Sequence, residues 1–298
     1  MKLICGTRGS KLALTQTDEV IDAICKNTGV EIEKKIIKTK GDQILDLPLH
    51  KIGGKGLFIK EIDEALINNE IDFAVHSLKD YPTEILPELE ISAIKKRKEP
   101  YDALISQEES IEDLPEEASI GTSSLRRKSE LSRTRPDLEI KDIRGNLDTR
   151  IRKLKEGQYD AIIVAEAGFS RLYGETNEID GFKFSRIGPD FIIPAPGQGA
   201  LAIVSRKNDS KIRHILNTIE DEKTRIETMC ERQFMIGVGG GCNLPVGALS
   251  VIHGKEIELK AFVGNFEGTT SVRGEAKGKK EDYLNIAKEL SKRLNIRE

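Results

Sequence analysis

Three segments of the chain pass from a strand-like run into a helix-like run and carry guanidinium groups at the junction. They are Arg8-Gly9-Ser10, Gly121-Thr122-Ser123-Ser124-Leu125-Arg126-Arg127 and Arg144-Gly145-Asn146-Leu147-Asp148-Thr149-Arg150. Helix N-termini supply N–H donors, and arginine forks suit carboxylates and phosphates. A fourth segment, Gly54-Lys55-Gly56 with Lys51 close by, adds ammonium groups on a glycine-rich stretch. One such arginine alone is ordinarily solvated or salt-bridged. Together, and each after a strand, they would line one sheet edge, where ligands of parallel α/β sheets bind. The chemistry they suit is the binding of a small polyanion in a cleft between two domains.

Two further groups could react. His76-Ser77-Leu78-Lys79-Asp80 also follows a strand and should reach the same edge. A lone acid among bases is either a salt-bridge partner or a group that stabilises a cation and moves protons. His76 and Ser77 do not make a hydrolase pair, because neighbours on a strand point to opposite faces. Cys242 follows Gly239-Gly240-Gly241 and precedes Asn243-Leu244-Pro245. Such a loop either presents a reactive thiol or buries a small cysteine in a tight turn. Cys5, Cys25 and Cys230 fall on expected strands or helices and are read as core.

The elements that must position these groups follow from periodicity. Lys2–Gly6, Ile32–Lys38 and Asp72–His76 read as strands, with helices over Ser10–Asn27 and Leu57–Asn68. Ser10 is an N-cap and Gly29 a stop. Residues 40–56 read as a long mobile loop. A second set follows Lys95-Lys96-Arg97-Lys98, which is read as a solvated crossover. Its strands are Ala103–Ser106, Ser119–Gly121, Leu138–Ile143 and Ala161–Ala165, and its helices Ser124–Arg133 and Leu147–Glu156. Strand–helix alternation predicts mainly parallel sheets with helices on both faces. Leu201–Ser205 would return to the first sheet. A helix at Lys223–Met235, alternating runs at Val246–His253, Glu256–Val263 and Thr270–Ala276, and a helix at Glu281–Leu294 predict a small α+β domain with an antiparallel sheet. The expected division is 1–95 with 196–217, then 96–195, then 218–298.

Composition narrows the function. Lys+Arg number 47 against 50 Asp+Glu, a net charge of −3, and aromatics are 5%. That combination argues against a nucleic-acid binder. No apolar run approaches the ~20 residues that cross a bilayer, and MKLICGTRGSK has no apolar export signal, so a cytoplasmic protein is expected. Four cysteines without a CxxC pair give little support to a metal site. Neither GxxxxGK[ST] nor GxGxxG occurs, which weighs against a nucleotide enzyme. A non-enzymatic binding protein of the same architecture would need neither Cys242 nor Asp80.

The chain resembles the porphobilinogen deaminase (hydroxymethylbilane synthase) family. The matching segments are TRGSKLALTQ, HKIGGKGLFIKEID, DFAVHSLKDYP, IGTSSLRRKSEL, IRGNLDTRIRKL, YDAIIVAEAGFSRL, PAPGQGALAI and GGGCNLP, in the family's order. Small departures are Asn243-Leu244 after the cysteine, a third glycine at Gly239, and Tyr101 before Asp102.

The resemblance implies two α/β domains like those of type II periplasmic binding proteins, plus the small C-terminal α+β domain. It implies head-to-tail joining of four porphobilinogen units into hydroxymethylbilane, with loss of four ammonias, on the route to haem and other tetrapyrroles. It also implies a dipyrromethane cofactor held covalently by Cys242, with Asp80 as the catalytic carboxylate. Each porphobilinogen carries an acetate and a propionate, so the growing chain gathers about a dozen carboxylates, which only cationic side chains could hold away from water. By this resemblance Arg8, Arg126, Arg127, Arg144, Arg150 and Arg171 bind those carboxylates. Ser10, Lys79, Thr122, Ser123, Ser124 and Gln198 assist, as do Lys51, Lys55 and Phe58 on or beside the loop. The family resemblance favours a monomer acting on porphobilinogen, and the composition leads us to expect no metal, nucleic acid or membrane partner.

Overall fold

The computed structural model describes residues 2–39, 59–239, 244–265 and 270–294. Along the chain the first elements are strands β1 (Lys2–Thr7), β2 (Glu31–Ile36), β3 (Phe73–Ser77) and β4 (Leu89–Lys95), with helices α1 (Lys11–Thr28) and α2 (Lys60–Ile67). Next come β5 (Asp102–Ser106), β6 (Ser119–Gly121), β7 (Glu139–Lys141), β8 (Ala161–Ala165), β9 (Glu178–Ile179) and β10 (Phe182–Ile187). Helices α3 (Leu125–Thr134), α4 (Leu147–Lys155) and α5 (Glu166–Tyr173) lie among them. The chain continues through β11 (Leu201–Arg206), α6 (Ser210–Leu216) and α7 (Glu222–Gly237). It ends with β12 (Val246–His253), β13 (Glu256–Gly264), β14 (Ser271–Lys279) and α8 (Tyr283–Arg293). No described helix is long and apolar enough to cross a membrane.

Two compact units result, Met1–Lys98 with Ala200–Arg225, and Glu99–Gly199 with Ile226–Glu298. The sheet of the first has the order β2-β1-β3-β11-β4. β1 is parallel to β2 and β3, while β11 runs antiparallel to both β3 and β4. The second unit's larger sheet has the order β7-β6-β8-β5-β10-β9. Again a parallel trio, β7-β6-β8, is followed by one antiparallel strand, β5, and then by β10, with the short β9 added at the edge. The two sheets therefore share one plan, with its odd strand coming last in the chain in one and first in the other. Together with the antiparallel β12-β13-β14, these are the two α/β domains and the small C-terminal domain expected from the sequence, but the two large sheets are mixed rather than mainly parallel, because β11 in one and β5 and β10 in the other pair antiparallel with their neighbours.

Local chemistry explains the elements. The Ser10 side chain caps α1 by accepting from the Ala13 N–H at 3.3 Å, and Gly29, at φ 68°, closes it with its N–H on Cys25 O. Leu3, Cys5, Val20, Ile24, Phe73, Val75 and Ile203 pack the first core. Cys230, Phe234, Leu259 and Leu290 belong to the C-terminal one. Burial pushes the Cys230 thiol up to about 12, and the Cys5 thiol is raised by the same cause, so both act as small apolar residues. Cys25 is half-buried and donates to Val30 O.

Some elements were not read from sequence: β4, α5, β9, β10 and α6. β7 is shorter than expected, covering Glu139–Lys141. β10 is held by antiparallel pairing with β5, which lies far away in sequence. The charged run at 95–98 is partly tied down: Lys95 pairs with Glu19 at 2.7 Å and the Arg97 N–H donates to Thr224 Oγ1 at 3.1 Å.

Candidate active site

In the first unit, β1 and β3 are parallel neighbours, so their C-terminal ends reach the same sheet edge. Arg8 and Ser10 lie in the turn after β1. After β3 the chain makes a short 3-10 turn over Leu78–Asp80. Leu78, its first residue, and Tyr81, just after it, are buried anchors, and the Tyr81 N–H closes it on Leu78 O at 3.2 Å. Between the anchors Lys79 is half-buried and Asp80 exposed. The Asp80 carboxylate makes no ion pair with the described residues. Ser77 Oγ and the Gln16 side-chain amide hydrogen-bond at 2.9 Å, tying the end of β3 to α1. The buried His76 ring packs against Tyr81 in a tilted arrangement, with centroids 5.0 Å apart. Burial, assisted by the charge of Arg8, pushes His76 down to about 4. Its imidazole is therefore neutral at ordinary pH.

In the second unit, the parallel trio delivers three loops to one edge. After β6, Thr122 is fully buried and its hydroxyl accepts from the Ser124 N–H at 3.3 Å. Ser123 Oγ donates to Ile143 O at 2.8 Å and accepts the Ile143 N–H at 3.0 Å, which joins the loop after β6 to the loop after β7. Ser124 caps α3, accepting from the Arg127 N–H. After β7, Asn146 caps α4 by accepting from the Thr149 N–H at 3.0 Å. Gly145 before it has φ 109°, and a Cβ there would lie 2.5 Å from Thr149 Cγ2, so a side chain is excluded. After β8, Arg171 on α5 donates to Gly199 O at 3.1 Å.

The arginines differ in their surroundings. Arg126 and Arg127 are 5% and 6% exposed. Arg126 Nη1 lies 2.7 Å from Asp102 Oδ2 and donates to Ile193 O. Arg127 places Nε and Nη2 on Asp102 Oδ1 at 3.1 and 2.6 Å, and Nη1 on Ile163 O at 2.8 Å. Gln198 Nε2 donates to the same Asp102 Oδ1 at 3.0 Å and to Pro100 O at 2.7 Å. Burial alone would raise the Asp102 carboxyl; the two guanidiniums overcome it and hold the group well below the carboxylate range. Arg144 and Arg150 are half-buried and form no ion pair with a carboxylate among the described residues, although the charge of Arg144 helps hold the Asp142 carboxyl down. Arg150 Nε donates to Gly145 O at 2.9 Å. Burial, with repulsion from Arg127 and Arg144, pushes its guanidinium down to about 10. It still carries its charge at neutral pH.

The sequence-predicted residues are thus distributed. Arg8, Ser10, Lys79 and Asp80 are brought to one edge of the first unit. Thr122, Ser123, Ser124, Arg126, Arg127, Arg144, Arg150, Arg171 and Gln198 belong to the second. Lys51, Lys55, Phe58 and Cys242 lie outside the described residues. Sequence reasoning missed Asp102, onto which three of the predicted residues converge. Its signal was an acid opening the apolar run Ala103-Leu104-Ile105, where a buried charge requires partners.

The family profile described as "Porphobilinogen deaminase, dipyromethane cofactor binding domain" matches residues 3–214. The one described as "Porphobilinogen deaminase, C-terminal domain" matches 225–296. The chain is 44% identical over 295 residues to the porphobilinogen deaminase of Maridesulfovibrio salexigens, covering 98% of this chain and 94% of that one. It is 48% identical over 280 residues to that of Oceanobacillus iheyensis, covering 93% and 89%. Among solved structures, substrate binding domain 2 of Lactococcus lactis GlnP in open conformation aligns at TM-score 0.43 and 13% identity, over 72% of this chain and 86% of that chain.

Proposed function

The chain belongs to the porphobilinogen deaminase family and polymerises porphobilinogen in tetrapyrrole biosynthesis, and from that premise we propose the roles of its residues. Its cofactor is dipyrromethane. The residues fit such a group: Arg126 and Arg127 share one carboxylate, Asp102, while Arg144 and Arg150 form no ion pair with a carboxylate among the described residues. That excess of positive charge calls for ligand carboxylates. When bound, dipyrromethane supplies the terminal pyrrole to which porphobilinogen units are added.

The observation that carries the reading is the convergence of Arg126, Arg127, Arg144 and Arg150 on the segments after β6 and β7, of which Arg144 and Arg150 form no ion pair with a carboxylate among the described residues. Arg144 and Arg150 bind the acetate and propionate groups directly, with Arg8 and Arg171. Arg126 and Arg127 add charge from behind. Ser10, Lys79, Thr122, Ser123, Ser124 and Gln198 shape the donor lining, and Lys51, Lys55 and Phe58 serve the incoming substrate. Asp80, exposed on an anchored turn, stabilises the cationic pyrrole formed from porphobilinogen as ammonia leaves. It then takes up the proton released when the new carbon–carbon bond forms. Cys242 holds the cofactor covalently, on a third domain formed by residues 218–298. The enzyme works as a cytoplasmic monomer on a small-molecule substrate, without metal, nucleic acid or membrane.

The test is the intact mass of the acid-unfolded protein. The expected result is an added mass of two porphobilinogens less two ammonias, lost in Cys242→Ala. If the polypeptide mass is bare, porphobilinogen is added and the measurement repeated. No adduct and no released ammonia would then overturn the assignment, and an adduct persisting in Cys242→Ala would overturn the attachment site.

A further inference from the structure

Three residues matched to ligand binding spend their polar atoms on another part of the protein. Arg127 and Gln198 hydrogen-bond Asp102 Oδ1 at 2.6 to 3.1 Å, and Arg126 forms an ion pair with Asp102 Oδ2 at 2.7 Å. All four side chains are buried, and Asp102 and Gln198 are 0% exposed. The remaining guanidinium contacts go to backbone carbonyls, Ile193 O and Ile163 O. A fork held at several points loses little freedom when a ligand arrives. Two guanidiniums on one carboxylate also leave one positive charge unbalanced in a buried place, next to Arg144 and Arg150.

We propose that Asp102 is the positioning residue of this site, an internal anion that fixes Arg126, Arg127 and Gln198 as one rigid cationic wall for the carboxylates of the pyrrole chain. The inference rests on the proposal that these arginines serve those carboxylates. Asp102 acts through the guanidiniums and does not touch the substrate. Without it the two arginines repel each other and turn toward other acceptors. The wall then loses its geometry while keeping its charge.

The test compares Asp102→Asn, Arg127→Gln and the double variant, each as the cofactor-loaded holoenzyme, by steady-state kinetics on porphobilinogen. Asp102→Asn is expected to raise KM about tenfold or more while kcat per loaded enzyme changes by less than about threefold. A purely structural role would lower the active fraction and leave KM alone, so an unchanged KM overturns the proposal at any melting temperature. Should Asp102→Asn fail to fold, the double variant carries the test, because it restores the local charge of the wild type. Its KM is expected to exceed that of Arg127→Gln alone, and equality overturns the proposal. An Arg127→Gln enzyme with wild-type KM would instead remove the underlying assignment of Arg127 to the substrate, a result distinguishable from failure of Asp102.

Discussion

Arg273 on β14 and Glu130 on α3, 143 residues apart in sequence, form a two-armed ion pair, with Arg273 Nε 2.9 Å from Glu130 Oε2. The same guanidinium caps the carbonyls of Asp190 and Phe191 at 2.6 Å. The other oxygen of Glu130 accepts the Ile193 N–H at 2.8 Å. Ile193 in turn receives Arg126 on its carbonyl. A residue of the C-terminal sheet thereby fixes the helix whose first turn bears Arg126 and Arg127. Glu130 is fully buried, so losing Arg273 would strand its charge. Arg273→Ala is expected to lower unfolding free energy by about 3 kcal/mol or more, read from the denaturant midpoint at constant slope. A midpoint within error of wild type would show that the pair contributes nothing.

Two buried groups of the first unit give its stability opposite pH slopes. His76, pushed from 6.5 to about 4, leaves the unfolded chain to take the proton first as pH falls. The stability it lends is complete above about pH 6.5 and lost toward pH 4. Asp63 on α2 is pushed by burial from 3.8 to about 7. Its contribution is complete at low pH and lost as pH rises through 7. Between pH 4 and 6.5 the two cancel. Asp63→Asn is expected to be more stable than wild type at pH 8 and to lose stability on acidification by up to about 1.4 kcal/mol per pH unit. His76→Phe should show the reverse slope. Urea midpoints at pH 5 and 8 check both, and parallel pH profiles for all three proteins would refute the pairing.

Arg150 exchanges stability for affinity. In the Cys242→Ala background, which is expected to carry no cofactor, Arg150→Gln should be stabilised at pH 8 by roughly 1 kcal/mol, because a buried cation repelled by Arg127 and Arg144 is removed. In the loaded enzyme the same change should raise KM for porphobilinogen about tenfold. Thermal melting and initial rates read the two halves, and a destabilised apo variant would contradict the first.

Asp80→Asn keeps the turn, since its anchors Leu78 and Tyr81 are untouched. The variant is expected to retain the full cofactor mass and to release ammonia about a hundredfold more slowly. Wild-type ammonia release would remove Asp80 from the chemistry.

Much of the site was legible because capping and sheet-edge rules act locally. Ser10, Ser124 and Asn146 each cap the helix that their positions announce. The guanidiniums beside them are at the strand ends where parallel topology sends them. What sequence could not show is which guanidiniums face outward. Arg126 and Arg127 read like Arg144 and Arg150, and only the placement of β5 in the middle of its sheet, bringing Asp102 beneath α3, separates the buried pair from the half-buried one. β4 and β10 were missed for a related reason. Their pairing partners, β11 and β5, are remote in sequence, and strand formation there depends on tertiary pairing more than on local pattern.

The strand β11 has a consequence for biosynthesis. It separates β3 from β4 in the first sheet, yet residues 96–200 must be translated before it exists. Until β11 leaves the ribosome, β3 offers an unpaired edge and β4 has no partner strand, on a unit whose remaining strands are already made. The first unit cannot fold strictly in order of synthesis; it waits for the whole second α/β sheet. Slow or interrupted translation between residues 96 and 200 would therefore leave the nascent chain open to chaperones and aggregation, although every residue of β1 to β4 is present.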